Sequence, residues 1–296
     1  MKRQQGLLLL PVALALSIMG ALAYAMTRGT ADDASAVDAQ YDLEATRYLA
    51  EAGLRLTKWQ NEKRGCDSRA KFTDIELPVG AGRLTVTDLM VKKEGFAATV
   101  TARSPRGAVS SVSGDKMMFF DRSDEEDVTL EVTDTYISSN NPFTSYGGSG
   151  ELEATDGKAH ILVNIKPEKI PKDTRMTRTV LSMYLRSSNS VQSVRELAVH
   201  AVTRTWSHDS AIWVYPWVFS PGGSYDPQPE RVVPIAGTGS RYEWDIAPLV
   251  RRWENGTQEN FGVLLKPRGL NGARFNSEGT GPNELRVKAY FHRRCK

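Results

Sequence analysis

The sequence predicts an α+β protein in which a long N-terminal helix and a small antiparallel sheet precede an all-β domain with a jelly-roll or β-sandwich architecture. An uncharged apolar run at residues 7–26 is followed by an amphipathic stretch with no proline from residue 33 to residue 64. From residue 83 onward, short segments with alternating apolar residues are separated by clusters of glycine, proline and asparagine, as in strands joined by turns. The 296 residues suffice for two domains of ordinary size.

The composition is that of a folded protein, with 40% hydrophobic and 25% charged residues. A net charge of +3 is too small to indicate a nucleic-acid partner. The chain has two cysteines, Cys66 and Cys295, which excludes a zinc cluster and a cysteine-rich scaffold. The two either form one disulfide in an oxidising compartment or remain free thiols, and the sequence alone leaves both alternatives open.

The N-terminal segment has the form of an export or membrane signal. Two basic residues precede Gly6, and residues 7–26 would rise about 30 Å as a helix, enough to cross a bilayer core. One interpretation is a secretory signal peptide that is cleaved after Ala25, at a small-x-small sequence. The other is a short basic leader that is cleaved between Gly6 and Leu7, so that the apolar helix stays on the mature protein.

The amphipathic stretch places one apolar stripe along a helix, at spacings of three and four residues. The members of the stripe are Val37, Tyr41, Ala45, Tyr48, Ala52, Leu56 and Trp59. Taken alone, the stripe predicts a helix that covers a soluble core. However, residues 47–54 resemble the "A-x-x-A-E-A-G-L" helix of type IV minor pilins, and the leader that ends at Gly6 resembles theirs. The strand-like residues 83–89, 95–104 and 107–121 resemble the small pilin sheet.

This resemblance covers residues 1–121 and implies a leader peptide at 1–6 and a membrane helix with a small sheet at 7–121. The implied partners are other pilin subunits and the inner membrane before assembly, and the implied final location is an extracellular fibre at the cell surface. Most pilins carry a glutamate five residues after the cleavage point, where this chain has Pro11. The absence of that carboxylate implies a tip subunit rather than a shaft subunit.

Residues 122–127 are predicted to be an acidic linker. With Asp121 they contain five acidic side chains in seven positions, which cannot all be buried. The β-rich pattern begins immediately afterwards, so the second domain is predicted to span residues 128–296. A short helix near residues 246–252 is the exception to its strand pattern.

An ordered set of motifs runs through the second domain. The motifs include Asp134-Thr135-Tyr136, Tyr146-Gly147, Thr205-Trp206, Trp244-Asp245-Ile246, Gly256, Asn260, Gly262 and Phe275-Asn276-Ser277-Glu278. Their succession over residues 128–292 resembles the DNRLRE domain family, which is similar to carbohydrate-binding modules, some of which bind alginate. The resemblance implies an all-β domain that binds polysaccharide, acidic polysaccharide included.

Aromatic residues alternate in the predicted strand at residues 211–219, which would place them on one face. Because Trp206 and Trp213 belong to the family pattern, we expect them in the core. Tyr215, Trp217 and Tyr225 lie beside a Pro/Gly loop and are the candidates for stacking on sugar rings.

A basic run around residues 170–171 supplies the second set of ligand candidates, Lys169, Lys172 and Arg175. Guanidinium groups bind carboxylates through a bidentate fork, so a basic surface suits uronate polymers. The alternative is a solvated loop, because acidic residues are interleaved with the basic ones.

Catalytic patterns are weak, and we predict that the protein is not an enzyme. Ser207, His208 and Asp209 have the residue types of a triad, but neighbours along the chain do not meet in triad geometry. No cofactor and no catalytic metal is predicted, although Asp134 and nearby carbonyls are candidate ligands for a structural calcium ion.

The leading functional hypothesis is therefore a minor, tip-located pilin that displays a glycan-binding or adhesive domain. A secreted or surface carbohydrate-binding protein with an ordinary signal peptide is the alternative. A polysaccharide-degrading enzyme is the third hypothesis.

Overall fold

The computed structural model describes residues 9–63, 74–76, 82–92, 95–217 and 220–295. Gly6 and Leu7, where leader cleavage is predicted, lie outside these residues, and so do residues 1–5. The chain is mostly β and divides into two compact units, one formed by Met1–Phe119 with Cys295–Lys296 and the other by Phe120–Arg294.

The first unit consists of one helix and one antiparallel sheet. Helix α1 spans Leu9–Lys63, and the sheet contains β1 (Asp74–Glu76), β2 (Arg83–Lys92), β3 (Gly95–Arg103) and β4 (Val109–Met117) in the order β1-β2-β3-β4. Within the described residues, no helix has the length and hydropathy of a membrane span.

The face of α1 that packs on the sheet consists of small residues together with Leu49 and Leu54, not of the predicted apolar stripe. Ala50 is fully buried, and a Cβ atom added to Gly53 would lie 2.8 Å from Cγ1 of Val100, so only glycine allows this approach. Thr57 is buried as well, and its hydroxyl donates to the carbonyl oxygen of Gly53 at 2.8 Å. In contrast, Tyr41 and the other large members of the stripe that precede Leu56 are exposed. The prediction for the stripe was wrong because small polar side chains that hydrogen-bond within their own helix can be buried.

Cys295 belongs to the core of this unit and is disulfide-bonded. Cys66, the other cysteine of the chain, lies outside the described residues. The pairing of Cys66 with Cys295 stays a prediction.

The second unit contains eleven strands, one α-helix and a 3₁₀ helix (Pro167–Lys169) in the described residues. The strands are β5 (Glu126–Thr129), β6 (Glu131–Ser138), β7 (Glu151–Ala154), β8 (Ala159–Lys166), β9 (Thr174–Ser187), β10 (Glu196–Ala201), β11 (Arg231–Pro234), β12 (Ser240–Asp245), β13 (Val263–Arg268), β14 (Ala273–Asn276) and β15 (Arg286–Arg293). Helix α2 spans Ala247–Glu254, where the sequence indicated a short helix.

The strands form two sheets that share one buried core, which is the arrangement of a β-sandwich. One sheet has the order β11-β10-β13-β8-β6, and the other has the order β5-β15-β9-β14-β7 with β12 paired to β9. Alternating residues of both sheets, such as Leu181 and Val199, are fully buried in the common core. Trp244 links the sheets, because it lies in β12 and its indole nitrogen donates to the carbonyl oxygen of Leu197 in β10 at 2.9 Å.

Two sequence predictions differ from this fold. The predicted acidic linker ends inside a strand, because Glu126 and Asp127 belong to β5, which pairs with β15. Ion pairs with basic residues of β15 let these carboxylates lie on a sheet edge. The predicted strand at residues 211–219 is instead a series of turns over residues 211–217, closed by an isolated bridge between Ile212 and Tyr215.

Candidate functional site

The outer face of the six-stranded sheet carries a groove whose floor is formed by short side chains. Val180 and Ser182 of β9 point to this face, because the residues that alternate with them are buried in the core. Ser182 lies opposite Glu243 of β12 on one side and opposite Arg286 of β15 on the other, while Val180 lies opposite Lys288. Longer side chains therefore flank shorter ones and enclose a cavity of 190 Å³. The residues of this sheet groove are Val180, Ser182, Arg241, Glu243, Arg286, Lys288 and Tyr290.

Arg241 is held in place by uncharged acceptors. Its Nη1 atom donates to Oγ of Ser182 at 2.8 Å and to the carbonyl oxygen of Glu284 at 3.3 Å. Its Nη2 atom donates to the carbonyl oxygen of Pro282 at 3.3 Å. These contacts fix the guanidinium group without neutralising its charge, which leaves it able to attract an anion.

The other two cations of the sheet groove each contact a carboxylate. Nε of Arg286 lies 3.0 Å from Oε1 of Glu284, and Nζ of Lys288 lies 2.7 Å from Oδ2 of Asp127. The hydrogen bond to Asp127 raises the pKa of Lys288. Since both pairs are partly exposed, each is worth little free energy, and a ligand carboxylate can replace the protein carboxylate.

Tyr290 and Arg178 form a stacked pair at one end of the sheet groove. The guanidinium carbon of Arg178 lies 3.8 Å from the ring centroid of Tyr290. Arg178 also pairs with Glu125 at 3.2 Å, and the hydroxyl of Thr177 donates to Glu125 at 2.7 Å. The hydrogen bond from Thr177 and the charge of Arg178 lower the pKa of Glu125. Because Arg178 covers one face of the ring, a sugar can pack only on the opposite face of Tyr290.

The three aromatic candidates from the sequence lie elsewhere, in the aromatic segment (residues 206–217 and 220–225) that covers the outer face of the five-stranded sheet. Trp217 is 4% exposed, and its indole nitrogen donates to the carbonyl oxygen of Ile212 at 2.9 Å. The prediction that Trp217 stacks on a ligand is therefore wrong, because its ring fills a second, smaller core. Tyr215 is 59% exposed, whereas the half-buried Tyr225 accepts a hydrogen bond from Nζ of Lys266 at 2.7 Å. A ligand role for Tyr215 and Tyr225 stays a prediction.

The predicted basic run is exposed and lies outside the sheet groove. Lys169 ends the 3₁₀ helix, Lys172 follows it, and Arg175 lies in β9 opposite His292. The structure therefore places these three residues away from the floor formed by Val180 and Ser182. Their contact with a ligand stays a prediction.

Asp134, the candidate calcium ligand, is 8% exposed and already has two protein partners. One carboxylate oxygen accepts from Oγ of Ser277 at 2.6 Å, and the other accepts from the backbone nitrogen of Glu278 at 2.7 Å. Burial raises the pKa of Asp134. Over the part of the chain that the structure describes, no group of three or more His, Cys, Asp or Glu residues is arranged to hold a metal ion.

Sequence reasoning missed the four residues that define the sheet groove, Arg241, Arg286, Lys288 and Tyr290. One local signal was available, because three of them alternate along the last strand and therefore share a face. Their convergence with Arg241 depends on strand pairing across β9, which a single sequence does not reveal.

Comparison with known proteins identifies the second unit. The model of carbohydrate-binding module family 96 matches residues 127–288, which is more than half of the chain. A search of curated proteins found no match. The matched region includes Lys288 and most of the sheet groove, together with the motifs of the β-sandwich. The chain belongs to carbohydrate-binding module family 96.

Proposed function

We propose that the β domain binds an acidic polysaccharide in the sheet groove and does not cleave it. The observation behind this proposal is that the sheet groove carries three cations around a floor of short side chains, in a domain that belongs to a carbohydrate-binding family. A polysaccharide chain is long and narrow, and a groove along a sheet accommodates such a ligand. Members of a binding-module family hold carbohydrate without catalysing its cleavage.

The groove offers distinct partners for the carboxylates and hydroxyls of a uronate chain. The guanidinium groups of Arg241 and Arg286 suit ligand carboxylates, because a planar fork matches the two carboxylate oxygens. Glu243 and Ser182 suit ligand hydroxyls, which both donate and accept hydrogen bonds. Tyr290 then supplies the apolar face on which a sugar ring can pack.

Substitution of Arg286 tests the location of the site. We expect Arg286→Ala to weaken the binding of an oligogalacturonate by about tenfold or more, since a hydrogen bond to a charged group is worth roughly 1.5–3 kcal/mol. Lys172→Ala is the matched control, because it removes an exposed cation outside the groove. Isothermal titration calorimetry on the full chain measures both variants.

Comparison of the two variants distinguishes the sheet groove from the basic run around Lys169 as the binding site. An unchanged affinity in Arg286→Ala together with a weakened affinity in Lys172→Ala would move the site to the basic run around Lys169. Binding of a neutral xylan oligomer as tightly as the uronate would remove the electrostatic basis of the proposal.

A second proposed role is that the first unit carries the β domain as a minor, tip-located subunit of a type IV pilus-like fibre, at the cell surface. This role is favoured by α1, whose Tyr41 and Tyr48 lie outside the face that packs on the sheet and remain exposed and available to other subunits. The disulfide at Cys295 is typical of an oxidising, extracytoplasmic compartment. We expect the mature N-terminus at Leu7 when the exported protein is sequenced. A mature N-terminus at Met26 would support a secreted carbohydrate-binding protein instead.

A further inference from the structure

A second cleft in the β domain is built from four separate segments. It encloses 320 Å³, at the lower end of the range for small-molecule sites and enough for one sugar ring. Strand β6, the loop before β7, a residue of the aromatic segment and the loop after β14 contribute to it. The residues of this acidic cleft are Thr133, Asp134, Gly148, Ser149, Gly150, His208, Ser277, Glu278, Gly279 and Thr280, none of which belongs to the sheet groove.

The loops of the acidic cleft are fixed against one another. A Cβ atom added to Gly147 would lie 2.5 Å from the carbonyl oxygen of His208, so these two loops are in close backbone contact. Oγ of Ser145 donates to the carbonyl oxygen of Asp209 at 2.7 Å. The backbone nitrogen of Ser277 donates to the carbonyl oxygen of Gly150 at 3.3 Å. The cleft is therefore preorganised, which lowers the entropy lost when a ligand binds.

Three hydroxyl groups of the acidic cleft, those of Ser149, Ser277 and Thr280, donate their protons to acceptors within the protein. Ser277 donates to the carboxylate of Asp134 at 2.6 Å, and Thr280 donates to the carbonyl oxygen of Ser277 at 2.6 Å. Ser149 donates to the carbonyl oxygen of Glu151 at 2.8 Å. A hydroxyl that donates keeps its lone pairs as acceptors, and so the cleft presents acceptors to a ligand.

The charges of the acidic cleft also favour a ligand that donates hydrogen bonds, and in addition one that is positively charged. Asp134 and Glu278 both line it, and no lysine or arginine does. Nε2 of His208 lies 3.0 Å from Oδ1 of Asp209, so this ring nitrogen already has a partner in the protein. Each oxygen of the buried Asp134 carboxylate accepts one hydrogen bond from the protein and keeps a further lone pair, so an incoming cation adds a favourable interaction.

We propose that the acidic cleft binds one amino-sugar unit through its ammonium group and its hydroxyl protons. The ligand must supply hydrogen-bond donors and positive charge, and a 2-amino sugar carries both on a ring of suitable size. Asp134 at the base of the cleft contacts the ammonium group, and Glu278 at the exposed rim attracts it. This site is additional to the sheet groove and prefers ligands of the opposite charge.

A tetramer of β-1,4-linked glucosamine is the probe, titrated into the full chain by calorimetry. We expect binding that weakens with added salt, since the attraction is between charges near the surface. Glu278→Gln should weaken binding severalfold, because it removes a rim charge but keeps the backbone nitrogen that donates to Asp134. Asp134→Asn should weaken it by about tenfold or more, since a charge-assisted hydrogen bond is lost. Glu259→Gln is the control for an exposed carboxylate outside the cleft.

The proposals for the sheet groove and for the acidic cleft can be contradicted independently of each other. Arg286→Ala should leave the affinity for glucosamine unchanged, and Glu278→Gln should leave or slightly raise the affinity for oligogalacturonate. The N-acetylated tetramer, which lacks the positive charge, should bind more weakly than the glucosamine tetramer. The proposal is overturned if the glucosamine tetramer does not bind, or if it binds Glu278→Gln and Asp134→Asn as tightly as the unmodified chain.

Discussion

Replacing Trp244 by alanine should destabilise the β domain by about 3–5 kcal/mol, the range found when a large aromatic side chain is removed from a core. Trp244 is completely buried and is the largest side chain in the domain with no exposure. Its loss leaves a cavity between the two sheets and removes the hydrogen bond from its indole nitrogen to the carbonyl oxygen of Leu197. Since the free energy of unfolding of a typical domain is about 5–15 kcal/mol, this single change removes much of it.

Urea denaturation of the full chain, followed by circular dichroism, measures the loss. Trp244→Phe is the matched variant, because it keeps most of the apolar volume but cannot donate to Leu197. We expect Trp244→Phe to lose clearly less stability than Trp244→Ala. Equal losses in the two variants would mean that the hydrogen bond, not the packing, dominates at this position.

The motifs in the second domain predicted its fold because several motif residues hydrogen-bond to the backbone of neighbouring elements. Asp245 accepts hydrogen bonds from the backbone nitrogens of Thr179 and Ala247, which joins β9 to the start of α2. Asn260 donates to the carbonyl oxygen of Ile165 and accepts from the backbone nitrogen of Gly262. Such residues are tied to the backbone of the fold, and so their order in the sequence indicates the β-sandwich.

The sheet groove, in contrast, could not be predicted from the sequence. Its side chains project from the face of a sheet, and strands that are far apart in the sequence contribute them. Ser182 lies opposite Glu243 and Arg286, residues about 60 and 100 positions further along the chain. Only the register of strand pairing brings these three residues together.

The aromatic segment has the sequence pattern of a strand but folds as turns, for a local reason. Alternation over residues 213–219 matches the period of a strand, but Pro216 cannot donate a ladder hydrogen bond and interrupts it. The chain turns instead, and Trp217 enters the smaller core beside Leu264 of the five-stranded sheet. Periodicity alone therefore does not distinguish an exposed aromatic face from one that covers its own sheet.

Gly262→Ala should destabilise the β domain by about 3 kcal/mol or more, through backbone strain and a backbone clash together. Gly262 has a φ of +80°, which alanine adopts only at a cost of roughly 1–2 kcal/mol. A Cβ atom at this position would lie 2.3 Å from the carbonyl oxygen of Val163 and 3.0 Å from Cα of Asn164. Both atoms belong to the backbone of β8, which pairs with β6 and β13 and cannot yield without breaking those ladders.

Gly256→Ala separates the two contributions, because Gly256 has a similar φ of +71° but no atom within 4 Å of an added Cβ. We expect Gly256→Ala to lose only the cost of the strained backbone, about 1–2 kcal/mol, in the same urea denaturation. The excess in Gly262→Ala is then the cost of pushing β13 away from β8. The substitution Gly262→Ala should also loosen the aromatic segment, because the carbonyl oxygen of Gly262 accepts a hydrogen bond from the backbone nitrogen of Val202. Equal losses in the two variants would contradict the close approach of β8 to Gly262, and with it the reason for glycine at this position of the family pattern.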